Sequence, residues 1–571
     1  MESRRFALIA VLGVLLFFLY QAWEKDYSTA ADNQTVATSS SNAASNPPAP
    51  LASAPAKGSS SGAATSVPTA MPVVGDHAAP VSARGDYVTV QTDTVKAEIG
   101  LDGAGLHRLL LEHYPSNKAD PKDKLALLDD RARNAKAPYF VFQQGLTGIK
   151  HPLTLDTTRY TATQREYRLA SGADVVEVPL SYTDAAGDQF QTLYRFHRDS
   201  YVIDLVQRIT NNSAQPLQVG PYARWLRNTV QAGREQKFVH SYFGLGVYQQ
   251  KSGKDYKFEK TKFDDLDSKP YSVTQTGGWL TMLQQYFIAT LIPPPGEKVT
   301  LSAKPAGDGR YLGQMLGATA TIAPGASQSF KTRLYIGPKI QGKLDAIAPG
   351  LALTEDYGLL TPVAKPLFWV LSKFHELTGN WGWSIIMLTF MIRLAFFKLS
   401  EAQYRSMAKM RKFGPRIKDM RERFAGDRER LNKAMMELYK KEKFNPLAGC
   451  WPMLLQFPVF IALYYVLIES VELRQASFIF WLQDLSAPDP YYILPIIYGI
   501  SMWFQQRLSG QTATMEPTQQ KIMSVMPIGL AGFFSLFPSG LVLYYCVSNG
   551  FTIVQQLVIT RRLEKEGLSH R

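Results

Sequence analysis

The sequence predicts an α-helical polytopic membrane protein, with six transmembrane helices of which five form one core, plus a large periplasmic antiparallel β-sandwich domain. Three observations predict it. The apolar residues, 46% of a 571-residue chain, concentrate at its two ends. Between the ends the pattern turns to short period-two runs broken by Gly, Asn, Asp and Pro. The basic residues gather on one side of the apolar segments.

Residues 1–23 read as an uncleaved transmembrane signal anchor. Arg4 and Arg5 precede an apolar run from Phe6 to Tyr20, and no small-x-small cleavage site follows closely. This places the N-terminus in the cytoplasm, with Trp23 at the far interface. Residues 24–84 are rich in Ala, Ser, Pro and Gly and have too few large apolar side chains to bury a core, so they predict a flexible tether. The β-sandwich is expected over 85–340, on runs such as Tyr87-Val-Thr-Val-Gln, Val175-Val-Glu-Val-Pro-Leu and Phe330-Lys-Thr-Arg-Leu-Tyr-Ile. No apolar run there is long enough to span a bilayer. The chain's two cysteines, Cys450 and Cys546, lie outside this domain, so it has no disulfide framework, and its size can bury a core without one.

Residues 357–378 mix Leu359, Leu360, Val363, Leu367, Phe368, Val370, Leu371 and Phe374 with Lys365, Lys373 and His375. That balance predicts an amphipathic helix, lying in the membrane interface or packed on the sandwich. Five candidate spans follow within 381–560, at 381–399, 447–468, 491–507, 522–537 and 540–559. The third and fourth are short, which implies tilt or a locally thin membrane. Pro538-Ser-Gly540 leaves room only for a tight turn between the last two.

Charge orients the whole. Formal net charge is +14. Residues 401–446 hold 14 Lys/Arg against 7 Asp/Glu, whereas 471–490 has Arg474 as its one basic residue. The tail, 561–571, carries Arg561, Arg562, Lys565 and Arg571. Positive residues mark cytoplasmic loops, so both termini and the 401–446 loop lie inside and the sandwich lies outside.

The 401–446 loop reads as a helical hairpin. Met410, Phe413, Ile417, Met420 and Phe424 recur at spacings of 3 and 4, as do Leu431, Met435 and Leu438. Ala425-Gly-Asp427 is the turn, Asp427 can cap the second helix, and Pro415 weakens the first. The cations Arg405, Lys409, Arg411, Lys412, Arg421, Arg423, Arg428 and Arg430 make it a docking arm for ribosome, targeting particle or substrate, or else a topology signal with a solvated surface. Nothing base-specific is present, so sequence-specific nucleic-acid binding is not expected; phosphate attraction to ribosomal RNA is compatible with the charge.

Arg393 lies inside the second span. A charge there costs about 3 kcal/mol on insertion scales and usually faces a wet cavity. Thr389 is four residues earlier on the same helical face. Snorkelling is the alternative, because the cytoplasmic end is roughly 10 Å away at 1.5 Å per residue. Gln456, Tyr464, Tyr465, Tyr498, Tyr544, Tyr545, Ser548, Asn549, Gln555 and Gln556 are further polar groups in spans, and the tyrosines can equally be packing residues. If Arg393, Thr389, Gln456, Tyr544 and Tyr545 line one groove open to the cytoplasm, a polar tail would cross a shorter dry path and a fixed positive charge would attract its acidic residues. Burial of the substrate's own apolar span would drive the process without ATP.

Enzyme chemistry finds little support. There is no GxxxxGK[ST], no Rossmann fingerprint after a strand, and no HExxH; His375-Glu-Leu-Thr-Gly379 lacks the second histidine. None of the eight histidines falls in a predicted span. Neither a metal nor another cofactor is expected.

Several stretches resemble the YidC/Oxa/Alb family of membrane insertases: Asn380-Trp-Gly-Trp-Ser-Ile-Ile, Ala402-Gln-Tyr-Arg-Ser-Met-Ala-Lys-Met-Arg, Asn445-Pro-Leu-Ala-Gly-Cys-Trp-Pro, Gln456-Phe-Pro-Val-Phe-Ile-Ala-Leu-Tyr-Tyr and Phe537-Pro-Ser-Gly-Leu-Val-Leu-Tyr-Tyr. Ser470-Val-Glu-Leu-Arg-Gln-Ala, Asp484-Leu-Ser-Ala and Gly277-Gly-Trp resemble its Gram-negative branch, with Gln285 standing where relatives often have His. The resemblance implies an inner-membrane insertase and chaperone, not an enzyme, with a cytoplasm-open hydrophilic groove around Arg393. It implies Thr389 and Tyr545 along the substrate path, and Phe460, Tyr498 and Phe533 as apolar neighbours. The implied partners are nascent membrane proteins, the ribosome, the Sec translocon with its accessory subunits, and anionic phospholipids. A solute transporter or channel, and a membrane-anchored periplasmic binding module, are the competing classes; no inverted repeat supports the former.

Overall fold

A computed structural model describes residues 86–118, 120–131, 137–148, 158–230, 242–252, 255–424, 427–441, 451–509 and 517–565. The expected anchor (1–23), the tether (24–84) and the end of the tail (566–571) lie outside the described residues.

The period-two runs form two facing sheets of 11 and 9 strands among the described residues. Alternation is direct: Gln189–His197 and Val202–Thr210 bury every second residue, and the two pair antiparallel. The inward side chains, among them Val88, Ile99, Leu109, Phe142, Tyr194, Leu205 and Trp225, make one core. The sandwich differs from the expectation in one pairing. Tyr87–Gln91 runs parallel to the three-residue strand Glu166–Arg168, which arrives at the sheet edge by a connection and not a hairpin. Trp279–Leu283 and Phe287–Ile292 are buried along their whole length. Their core is extended by Leu344, Ala348, Leu351 and Ala352 from the chain that leaves the sandwich, and by Val471 from the helical half. Gly278 allows this: at φ +77, an added Cβ would lie 2.4 Å from the Tyr248 carbonyl oxygen.

A short helix α1 (Phe263–Ser268) closes one sheet connection. The rest are α2 (Thr361–Thr378), α3 (Trp381–Ala395), α4 (Phe397–Arg423), α5 (Arg428–Lys441), α6 (Trp451–Glu469), α7 (Ile493–Ser509), α8 (Pro517–Phe534) and α9 (Ser539–Lys565). Helix α2 buries Ala364, Phe368 and Leu371, at spacings of 4 and 3, with residues of α3 and α6, and leaves Trp369 and Leu377 exposed. Its main packing partners are therefore helices α3 and α6. The two hairpin helices are α4 and α5. Helix α4 runs on through Pro415, and Asp427 caps α5, its Oδ1 accepting from the Arg430 N–H at 3.1 Å.

Among the described residues, one helix is long and apolar enough by itself to cross a membrane, Ser539–Arg562, or two if the bent pair Trp381–Ala395 and Phe397–Arg405 counts as one span. The expected six are not matched by this measure. Helices α7 and α8 have 17 and 18 residues, roughly 26 Å of rise, and each carries Gln residues and a cation near one end.

The halves meet at the end of α6 and the 470–492 loop between α6 and α7. Lys118 Nζ donates to the Gln475 carbonyl at 2.6 Å, and Arg474 to that of Pro115 at 2.9 Å. Gln285 donates to the Ile468 carbonyl at 3.3 Å. Gln341 takes the centre: its backbone N–H meets Glu472 at 2.9 Å, and its side-chain amide reaches Ser470 at 2.8 Å and the Tyr357 hydroxyl. Lys339 Nζ and Glu469 lie 3.8 Å apart, both buried. Burial raises the Glu472 carboxyl and pushes that of Glu355 up to about 7, with Glu472 and Asp345 adding to the rise at Glu355 and Lys365 and Lys339 opposing it.

Candidate functional site

The site is set by how α3 starts and stops. Asn380 caps its first turn, accepting from the Gly382 and Trp383 N–H groups at 2.9 and 3.3 Å. Gly382 is required because a Cβ would lie 2.0 Å from the Phe478 ring. These contacts account for the Asn380-Trp-Gly-Trp motif. At Phe396 the helix breaks, and the chain turns by 57° into α4. Arg393 sits in the last turn before the break.

The Arg393 side chain is half-buried against α9. Its Nε donates to Ser548 Oγ at 3.0 Å, and a second guanidinium nitrogen reaches the same oxygen. No carboxylate pairs with it among the described residues. Gln555 Nε2 donates to the Arg393 carbonyl at 3.4 Å, one of those left over where α3 ends. Tyr544 is buried, with Ser548 and Gln456 beside it. Tyr404 Oη donates to the Thr552 carbonyl at 3.4 Å. The result is a cluster of polar groups between α3, α6 and α9.

Of the expected groove residues, Arg393, Gln456 and Tyr544 come together there. Thr389 is on the expected helix face but buried, its hydroxyl donated to the Ile385 carbonyl at 2.6 Å. Tyr545 turns to an aromatic cluster, with ring centroids 5.1 Å from Phe460, 5.7 Å from Tyr498 and 4.5 Å from Phe534. Phe533 is half-exposed and meets the cluster at its edge, 4.8 Å from Phe537. In the hairpin, Arg405 pairs with Glu401 at 3.2 Å, and Arg423 and Arg430 are exposed. The side chains of Lys409, Arg411, Lys412, Arg421 and Arg428 lie outside the described residues.

Sequence reasoning left Ser548, Gln555 and Phe534 out of the site. Tyr544, Ser548, Thr552 and Gln555 follow each other at 4, 4 and 3, one face of α9, so the first two could have been found by that spacing. Phe534 gives no such signal, because its role depends on a contact between two helices.

Residues 373–566 match the family described as 60Kd inner membrane protein, and 87–370 the YidC periplasmic domain. The membrane protein insertase YidC of Nitrosococcus oceani is 41% identical over 570 residues, 99% of this chain and all of the relative. That of Methylococcus capsulatus is 40% identical over 566 residues, 99% of each chain. A solved active YidC insertase aligns with 84% of this chain and 93% of its own at 16% identity and a TM-score of 0.38. The chain belongs to the YidC family of membrane protein insertases. Like others of the YidC family, it is an inner-membrane protein with a β-rich periplasmic domain and a helical C-terminal part. The polar cluster around Arg393 lies wholly in the 60Kd segment. The joint is shared, with Lys339, Gln341 and Glu355 from the periplasmic segment and Glu469 and Glu472 from the other.

Proposed function

We propose that this membrane protein insertase does its work in the helical half, with Arg393 as the polar contact of the moving chain. One observation carries the reading. A guanidinium within an otherwise apolar helix rests on a serine hydroxyl and has no carboxylate partner among the described residues. A charge so placed is costly unless water or a ligand completes its shell. A nascent membrane protein with an acidic tail supplies that complement for as long as the tail is in transit.

In this reading α3, α6, α7, α8 and α9 are the five core spans, α2 lies at the outer interface, and the anchor makes the sixth span. Both termini and the α4–α5 hairpin lie in the cytoplasm. The polar cluster wets the inner half of the bilayer and so shortens the dry path for polar backbone and charges. Phe533, exposed at the edge of the Phe460–Tyr498–Phe534–Tyr545 cluster, offers an apolar surface along which the substrate's own span leaves for lipid. Transfer of some twenty apolar residues into lipid supplies the drive, at about 25 cal/mol per Å², so no nucleotide is used. Hairpin cations such as Arg405, Arg423 and Arg430 meet the ribosome or anionic lipid, and the Sec translocon shares larger substrates.

Insertion of a short single-span substrate into liposomes holding only the purified protein tests this. Insertion without ATP is expected. Failure across several such substrates would leave an accessory chaperone.

A further inference from the structure

We infer that the turn at 478–482, with Tyr491 and Tyr492 beside it, is an anchor seated in the headgroup layer of the outer leaflet; this rests on the membrane-spanning reading above. Phe480 is 79% exposed and its backbone lies at φ +52. Tyr492 is exposed as well, at φ +57. A large side chain in the left-handed region strains the backbone, and an aromatic ring held in water adds a second cost. The chain does not return these costs by packing. The ring contact made by Phe480 among the described residues is a stack on its neighbour Trp481, at 6.2 Å.

The display is nevertheless built firmly. The Phe478 N–H donates to the Leu482 carbonyl at 2.8 Å, and Gln483 Nε2 to that of Phe480 at 2.6 Å. One buried carboxylate, Asp489, clamps both parts: it accepts from Trp481 Nε1 at 3.1 Å, from the Tyr491 N–H at 3.1 Å and from the Leu494 N–H at 2.7 Å. Asp484 is likewise turned onto the Gln475 and Ser486 N–H groups. The tip from Ala476 to Leu482 carries no charged side chain of its own, its flanking carboxylates face inward, and the cation beside it is Lys118, whose Nζ donates to Ser477 Oγ at 2.8 Å, where it can meet an anionic headgroup. The apolar surface does not end at the loop. From Tyr492 it continues down α7 through exposed Ile496, Ile500 and Trp503, the surface that faces lipid in the five-span reading. Aromatic side chains where a lipid-facing helix leaves the bilayer suit the interfacial layer, whose chemistry is apolar on one side and wet on the other.

The test uses the full chain with Cys450→Ser and Cys546→Ser, in nanodiscs of phosphatidylethanolamine and phosphatidylglycerol. Phe480→Cys and Ile500→Cys each carry an environment-sensitive fluorophore. Nitroxide on lipid carbon 5 should quench the label at 480 more than nitroxide on carbon 12, and iodide should quench it weakly. Strong iodide quenching at 480, with lipid quenching kept at 500, overturns the anchor alone. Loss of lipid quenching at both positions overturns the spanning reading with it.

Discussion

Two guanidiniums, one in each half of the molecule, have different surroundings. In the sandwich, Arg227 is 1% exposed and held over the rings of Phe140 at 4.7 Å, Phe243 at 4.4 Å and Phe263 at 5.5 Å. Its Nε donates to the Asn228 carbonyl at 3.1 Å, and burial pulls its pKa down to about 9. In the helical half, Arg393 is half-buried, lies on a serine and has no aromatic cage among the described residues. The first charge is enclosed by rings, with one guanidinium nitrogen left without a hydrogen-bond partner among the described residues, and can reach nothing new. The second is held in place and left incomplete. Burial alone therefore does not separate the two; whether the remaining donors are closed off or open does, and the role proposed for Arg393 rests on that difference.

The comparison can be broken most strongly in the sandwich. Arg227→Ala should cost about 3 kcal/mol of sandwich stability, since it empties a packed site, while Arg227→Met should cost under about 1.5 kcal/mol. Chemical denaturation followed by tryptophan fluorescence checks this, and insertion at permissive temperature should be unchanged by either. A loss of insertion with stability intact would mean that the enclosed charge also works.

The joint gives a smaller effect with a definite sign. Glu355 is raised from 4.5 to about 7 in the folded chain, so its contribution to stability is complete below the unfolded value and lost as pH rises through about 7. The thermal midpoint should fall by a few degrees between about pH 5 and about pH 8, and Glu355→Gln should flatten that slope. An unchanged slope in the variant would assign the pH dependence to other groups.

Smaller still is Ser548→Ala, which removes the oxygen that holds the guanidinium. Insertion of acidic-tailed substrates should drop a few-fold, about the effect of one charge-assisted hydrogen bond weakened by water replacement. Thr389→Val should change insertion least, because the Thr389 hydroxyl is already spent on the Ile385 carbonyl. A loss with Thr389→Val as large as with Ser548→Ala would place the threonine in the substrate path.

Much of this was legible in the sequence because it is local. Period-two runs gave the strands, the 3-and-4 spacing gave the α4–α5 hairpin, and a charge among apolar residues gave Arg393. Contacts across the chain were not legible. Gln341 shows no pattern that would pair it with Glu472 and Ser470, 131 and 129 residues away. Arg474 reads as a stray cation until its bond to the Pro115 carbonyl is seen. The break at Phe396 has no proline or glycine to announce it, and the choice of Ser548 over its polar neighbours depends on how α3 meets α9.

The most direct measurement compares wild type with Arg393→Ala in liposomes, inserting two single-span substrates that differ only in whether the translocated tail is acidic or neutral. The account predicts a loss of about tenfold for the acidic tail, the equivalent of 1.4 kcal/mol, and little for the neutral one. Equal insertion of both by the variant would contradict it, since the charge at 393 would then do nothing for the chain that passes.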